Sequence, residues 1–262
     1  MLSDTLIRLP RTSGITLLHR RGDPKGTREL SSWRLRLGPG ETAAHQLPGE
    51  EMIVVLQEGT GTFAAGAERW PVERTGVFAG RATAVYVPPN TPFSATASSP
   101  LEAIIISTPA PTGGAPALIR PDDVTVNQRG RGTYAREVHD LFVRDPYVQR
   151  LMVGETFNPA GHWSSYPPHK HDGKDGEPTL EEVYYFRIDP PQGFGQQTLY
   201  TADGESVVHM VRDGDVVLLP YGYHPVSSPP GYRLYYLWAM AGAERRLALH
   251  EDPAHRWIHD AK

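Results

Sequence analysis

The chain contains no cysteine, which excludes disulfide frameworks, thiolate zinc sites, iron–sulfur clusters and every cysteine nucleophile. Any metal must therefore be held by nitrogen and oxygen. Excess positive charge is also missing. With 26 basic against 30 acidic residues and a net charge of −4, the chain lacks the cationic surplus that counterion release from a polyanion requires, so nucleic acid is not an expected partner. No apolar run approaches the roughly 18 residues needed to cross a bilayer. The opening MLSDTLIRLPR has no apolar core of the signal-peptide kind. The reading is a cytoplasmic protein without a membrane partner. Long segments of helical period are lacking too.

What is present is punctuation. The 262 residues include 26 Gly and 25 Pro, well above the usual share of about 12%. Between these breaks recur β-branched and aromatic runs of strand length, which makes the chain all-β. In the first half the candidate strands are Trp33–Leu37, Met52–Gln57, Ala84–Val87 and Leu101–Ser107, separated by LGPGE, QEGTG and VPPN turns. In the second half they are Leu151–Phe157, Glu182–Ile188, Gln197–Tyr200, Val207–Arg212, Asp215–Leu219 and Tyr232–Met240. The mixed segment Glu137–Tyr147 leaves room for a short helix. The proline-rich stretch Thr108–Pro121 reads as a surface linker between two cores. Similar strand content on its two sides suggests a duplicated β-sandwich or small barrel.

Two motifs lose to simpler readings. GTGTFA at 59–64 imitates a dinucleotide loop, but GAERWP follows where a helix should start, so a hairpin turn is expected. His250-Glu251 and His255 imitate a metalloprotease pair, but five-residue spacing with Pro253 between them favours surface histidines.

The chemistry concentrates between Ser164 and Val226. In WSSYPPHKHD, His169 and His171 stand at i and i+2, which in an extended strand aims both imidazoles to one face. Glu182 opens the following strand, LEEVYYFRI, with Glu181 as the neighbour that could replace it. His224 follows the proline–glycine turn of GDVVLLPYGYHPV. Three imidazoles and a carboxylate without thiolate suit a divalent first-row metal: zinc or manganese first, with iron or nickel also compatible. Any one of these histidines alone would be read as an ordinary surface or hydrogen-bonded residue. It is their joint occurrence that points to a metal.

These two blocks resemble the cupin motifs, G-x5-H-x-H-x3–4-E-x6-G and G-x5-P-x-G-x2-H, through Gly161, His169, His171 and Glu182, then Gly214, Pro220, Gly222 and His224. Seven residues separate Gly161 from His169, ten separate His171 from Glu182, and one separates Gly222 from His224. The long insert is expected to form a loop over the barrel mouth. More narrowly, NPAGHWSSYPPHKHD, LEEVYYFRIDPPQGFGQQTLYT, VLLPYGYHPVSSPPGYRLYYLWAMAG and DPAHRW resemble the 5-deoxy-glucuronate isomerases of bacterial inositol catabolism. The resemblance implies a bicupin of two tandem jelly-roll β-barrels with few short helices. Residues 1–110 would form a degenerate, metal-free cupin, residues 111–128 a crossing segment, and residues 129–262 the metal-binding cupin. In the first half GRATAVYVPPNTPF lacks the closing histidine, and His45 is the only histidine nearby.

The activity implied is an aldose–ketose isomerisation of a small uronic-acid-type substrate, with self-association into a homo-oligomer left open. Moving a proton from C2 to C1 requires a general base, and the sequence offers Tyr184, on the face of Glu182, Tyr221 and Tyr223, beside the His224 turn, and His209. For the tyrosines a core role is the commoner one. The substrate carboxylate calls for a guanidinium or ammonium group, yet Lys170 and Arg187 alternate away from the metal face. Gln192, Gln196 and Gln197 could bond sugar hydroxyls. The ligand set alone also admits a metal-dependent cupin dioxygenase or a non-catalytic sugar-acid binding module.

Overall fold

A computed structural model describes residues 1–24 and 26–260, and these are overwhelmingly β-strand, with four short 3₁₀ turns as their helical content. Two β-units stack against each other. In the first, the 16-residue strand Glu50–Ala65 belongs to both walls. Its early residues pair with Ala84–Val87 and Leu101–Pro109, and its later residues with Glu68–Arg74 and Phe93–Ala97. GTGTFA therefore lies inside a strand and not at a hairpin turn. Its glycines serve close approach: a Cβ at Gly61 would meet the Thr96 carbonyl oxygen at 2.3 Å. The turn instead follows at Gly66–Ala67.

The second unit sets a seven-stranded sheet against a four-stranded one. The larger sheet runs in the order Leu6–Ile7, Val216–Leu219, Leu180–Asp189, Arg233–Gly242, Met152–Asn158, Arg136–Phe142, Thr125–Arg129. The smaller runs Trp163–Ser164, Val226–Ser227, Gly195–Tyr200, Ser206–Val211. The short helix left open around Glu137–Tyr147 is absent; Arg136–Phe142 is a strand pairing with Met152–Asn158. Pairing to a distant neighbour overrides the weak local signal there. The predicted linker is also less free than its prolines suggest. Ala117–Ile119 extends the first sheet beside Ala84–Val87, while Ala110 and Gly114 donate backbone hydrogen bonds to Gly49 and Tyr147.

Side-chain alternation divides the interior into three layers. Met52, Val54, Ile105, Phe63 and Phe93 fill the first unit. Tyr184, Phe186, Leu199, Val211 and Tyr236 belong to the core of the second. The opposite faces of the same strands meet between the units through Ile53, Val55, Ile104, Ile106, Val183, Tyr185 and Leu237. Central strands are thus buried on both faces, which is why EEMIVVL and LYYLWAMAG are nearly continuous apolar runs. Buried polar staples cross the same layer. Tyr185 donates to Glu102 at 2.6 Å, and the Glu51 carboxylate accepts from the backbone N–H groups of Gln149, Arg150 and Leu151.

Candidate metal centre

The large sheet of the second unit builds the site by register. Glu182 faces Met240, which faces Met152; Tyr184 faces Trp238, which faces Gly154; and Tyr236 faces Thr156, which faces Val138. Apart from Gly154, whose lack of a side chain makes the room, these residues line one cavity of about 1060 Å³. A Cβ at Gly154 would meet the Trp238 ring at 2.2 Å, so only glycine admits the indole here.

Against this wall, His171, Glu182 and His224 bring ligand atoms within 4.8 Å of one another. The His171 ring donates from Nδ1 to the Leu180 carbonyl at 2.7 Å and sets Nε2 3.1 Å from Glu182 Oε2. His224 donates from Nδ1 to Gly222 O at 3.0 Å and turns Nε2 to within 3.4 Å of the same oxygen. A backbone carbonyl on one ring nitrogen fixes the tautomer that offers the other to a metal. His224 Nε2 and Glu182 Oε1 are buried without a hydrogen-bond partner. Unsatisfied buried atoms are costly, and a cation would satisfy both. His169 lies outside this trio, but it lines the same cavity with its ring edge-on to His224 at 4.9 Å.

Electrostatics keep His169 and His224 neutral, the form that binds a metal, while His171 and Glu182 share a proton that a cation would displace. Burial pushes His224 well down, with the neighbouring His169 and His171 adding to the effect. Burial, then His171 and Arg136, lower His169 to about 3. For His171 burial works downward, but the Glu182 hydrogen bond and charge prevail and raise it. Burial raises Glu182. Glu181 is not part of this group: its carboxylate accepts from the backbone N–H of Arg28 and Glu29.

The loop between His171 and Glu182 is pinned by Lys170, whose ammonium reaches Asp172, Asp175 and Glu177 on the face away from the imidazoles. Those acids, with His250 near Asp175 and Glu177, form an ion-pair cluster gathered around the one lysine. Arg187 is likewise spent on Asp213 and Glu102.

Of the candidate bases, only Tyr184 reaches the cavity. Its hydroxyl lies 3.1 Å from Ser165 Oγ, and its ring stacks on Tyr236 at 4.2 Å. Burial, and then the Glu182 charge, hold it well above the usual phenol value, so it is protonated and serves as a donor in place of a base. His209 is placed elsewhere, on a strand of the smaller sheet with its Nε2 between Thr5 Oγ1 and Leu2 O. Tyr223 stacks on Tyr200 and Tyr221 bonds to Glu205, and neither lines the cavity. Gln197 gives its amide to the His224 and Pro225 carbonyls, so it holds the ligand turn and has no donor left for a sugar hydroxyl. Sequence reasoning missed Arg136, Ser165, Tyr236 and Trp238, whose place at the cavity depends on strand pairing.

In the first unit the corresponding interior is filled. His45 rests edge-on against Trp33 at 4.8 Å, and Phe93 packs edge-on against Phe63 in the core. Among the described residues, no group of three metal-ligating side chains occurs there.

The KduI/IolB family model matches residues 12–258. The chain belongs to the KduI/IolB family. A relative from Geobacillus kaustophilus (strain HTA426), called 5-deoxy-glucuronate isomerase, is 41% identical over 235 residues, covering 86% of this chain and 84% of its own. Among solved structures, an IolB-like protein from Salmonella typhimurium LT2 superposes with a TM-score of 0.90 at 32% identity, over 97% of this chain and 99% of that one. An oxalate decarboxylase from Lactobacillus farciminis reaches a TM-score of 0.70 at 12% identity, covering 100% and 89%; this is a likeness of fold. KduI/IolB membership and the oxalate decarboxylase likeness together give the β-units a cupin-like architecture. No helix among the described residues is long and apolar enough to cross a membrane.

Proposed function

We propose that the protein is an aldose–ketose isomerase converting 5-deoxy-D-glucuronate into 5-dehydro-2-deoxy-D-gluconate in myo-inositol catabolism. The observation that carries this reading is the convergence of His171, Glu182 and His224 beside the cavity that Glu182 and His169 line, in a chain 41% identical to a 5-deoxy-glucuronate isomerase. We assign the chain a bicupin organisation, with a metal-free unit over 1–110, a crossing segment over 111–128 and a metal-binding unit over 129–262; Leu6–Ile7 and Thr125–Arg129 add edge strands to the second unit and Ala117–Ile119 one to the first. His169, His171, Glu182 and His224 would hold the ion, zinc or manganese first with iron or nickel also compatible, in a cytoplasmic enzyme.

The reaction transfers a proton from C2 to C1 through an enediolate, and its difficulty is the negative charge that gathers on two oxygens. A divalent cation at this centre supplies Lewis-acid stabilisation of that charge. The protein contributes a fixed donor and an apolar enclosure. Tyr184, kept protonated by burial, offers its O–H to the sugar oxygen nearest Glu182, and Ser165 and Tyr236 hold the phenol in place. Met152, Trp238 and Met240 line the cavity with apolar surface that keeps water from the reacting carbons.

Metal-loaded protein given 5-deoxy-D-glucuronate in deuterated water is expected to yield a product bearing deuterium at the new hydroxymethyl carbon, read by NMR. Chelation should stop both turnover and labelling. Turnover without oxygen separates this activity from that of a cupin dioxygenase, and tight binding without turnover would indicate a binding module. Persisting turnover in fully stripped protein would sink the metal-dependent reading.

The placement of the side chains gives a second expectation. Tyr184→Phe should retain metal while turnover falls by about tenfold or more, the usual scale for losing one positioned donor or proton-transfer group. His209→Ala should leave turnover within about twofold, because solvated or structural positions outside a site rarely alter chemistry. A reversal of these two results would move the proton-handling group to the smaller sheet.

A further inference from the structure

The cavity holds a cation that the His–Glu centre does not use. Arg136 opens the strand Arg136–Phe142, and Val138 and Asp140 follow it on the same cavity-lining face. Its Nη1 donates to the carbonyls of Tyr134 at 3.2 Å and Tyr166 at 3.1 Å, the latter three residues before His169. Among the described residues, no carboxylate lies within ion-pair distance of it, and its Nη2–Nε edge makes no hydrogen bond. A half-buried guanidinium without a counter-anion is costly unless a ligand supplies one. The charge reaches the metal centre's surroundings, where it acts on both His169 and Tyr236.

Arg129, Arg131, Arg144 and Arg245 also line the cavity. Arg245 spends its guanidinium on the carbonyls of Leu151, Asp145 and Phe142, and Arg131 reaches Ile258 and His259. Arg136 differs from Arg129 and Arg144 in its bond to the Tyr166 carbonyl and in acting on His169. Arg136 is thus held at one nitrogen by two carbonyls while its other edge faces the cavity. That is the geometry of a preset fork for a planar carboxylate.

We infer that Arg136 binds the carboxylate of the sugar acid and makes the site selective for uronic acids over neutral aldoses. This rests on the isomerase reading, which supplies the substrate class. The two ends of the substrate then have separate anchors, the sugar oxygens at the His–Glu centre and the acid at Arg136.

The test uses metal-loaded full-length wild type, Arg136→Gln and Arg136→Lys, with 5-deoxy-D-glucuronate and its uncharged C6 alcohol, 5-deoxy-D-glucose, as paired substrates. Arg136→Gln should raise KM for the acid by about 30-fold or more, the scale of truncating one member of a desolvated charge pair. It should leave metal content and the neutral sugar's KM unchanged, so the wild-type preference for the acid collapses. Arg136→Lys should recover part of that preference, since an ammonium restores the charge without the fork. If Arg136→Gln fails to fold, the acid-to-neutral ratio of Arg136→Lys decides, and a ratio equal to wild type refutes the assignment. An unchanged ratio in Arg136→Gln refutes it too, while wild-type turnover of the acid leaves the isomerase reading intact. Should wild type turn over neither sugar, that reading fails, and calorimetry with D-glucuronate still judges Arg136. Binding by wild type but not by Arg136→Gln supports the carboxylate grip; equal binding by both, or by neither, overturns it.

Discussion

Replacing any of His171, Glu182 or His224 by alanine is expected to lower bound metal by about tenfold or more, because each removes one donor from a small chelating set. Turnover should fall by about 10²-fold or more, since the cation's stabilisation of oxygen charge is worth several kcal/mol. These three side chains already share a space of less than 4.8 Å, with His224 Nε2 and Glu182 Oε1 buried and unpartnered. His169→Ala is expected to follow them, its imidazole standing edge-on to His224 within the same cavity. His45→Ala provides the contrast: that ring packs on Trp33 in the first unit, and its loss should leave metal content unchanged. Metal analysis of each purified variant, beside its turnover, checks the set. Retained metal in His169→Ala would reduce the protein ligands to three. Loss of metal in His45→Ala with retention in His224→Ala would place the centre in the wrong half of the chain.

The proximity of His171, Glu182 and His224 was legible because the relations that bring them together are local. An i, i+2 pair on an extended segment, a glutamate opening the next strand and a histidine after a proline–glycine turn can be read without knowing the fold. Central strands were legible for a related reason: burial on both faces writes near-continuous apolar runs, as in Leu101–Pro109 and Arg233–Gly242. Gly14–His19, Thr42–His45 and Glu68–Arg74 escaped notice because they have one exposed or polar face and owe their extension to distant partners. Arg136–Phe142, with charged and apolar residues mixed, leaves helix and strand both open in sequence for want of that same partner. The errors over His209 and Tyr223 have another origin. Strand alternation assigns a face, but which face encloses the cavity depends on how the smaller sheet folds over the larger. Arg136 shows the limit from the other side, since its nearness to His169 depends on the carbonyl of Tyr166, 30 residues away.

The contact between the two units should also be measurable as stability. Arg74 comes from the first sheet and Glu155 from the second, and both side chains have zero exposure. They pair through two bonds, at 2.7 and 3.0 Å. Tyr235 donates to the same carboxylate at 2.7 Å, and Arg74 also reaches the carbonyls of Leu56 and Gly80. Burial alone would raise Glu155, but the Arg74 guanidinium prevails and holds the carboxyl below its usual range. Arg74→Met leaves that carboxylate buried with no cation, and a loss of about 3–5 kcal/mol is expected, the usual cost of breaking a buried pair from one side. Glu155→Leu should cost a similar amount by stranding the guanidinium. The double variant should regain much of the loss, because no unpaired charge then remains inside. Urea unfolding of the metal-loaded protein at neutral pH measures all three. The pH dependence has a fixed sign. A folded-state pKa below the unfolded value means that the pair's contribution is present above about pH 4.5 and fades as pH falls through the folded value. Wild type should therefore lose stability faster on acidification than the double variant. Additive single losses, with no recovery in the double, would show that Arg74 and Glu155 stabilise the stacked units independently and not as a pair.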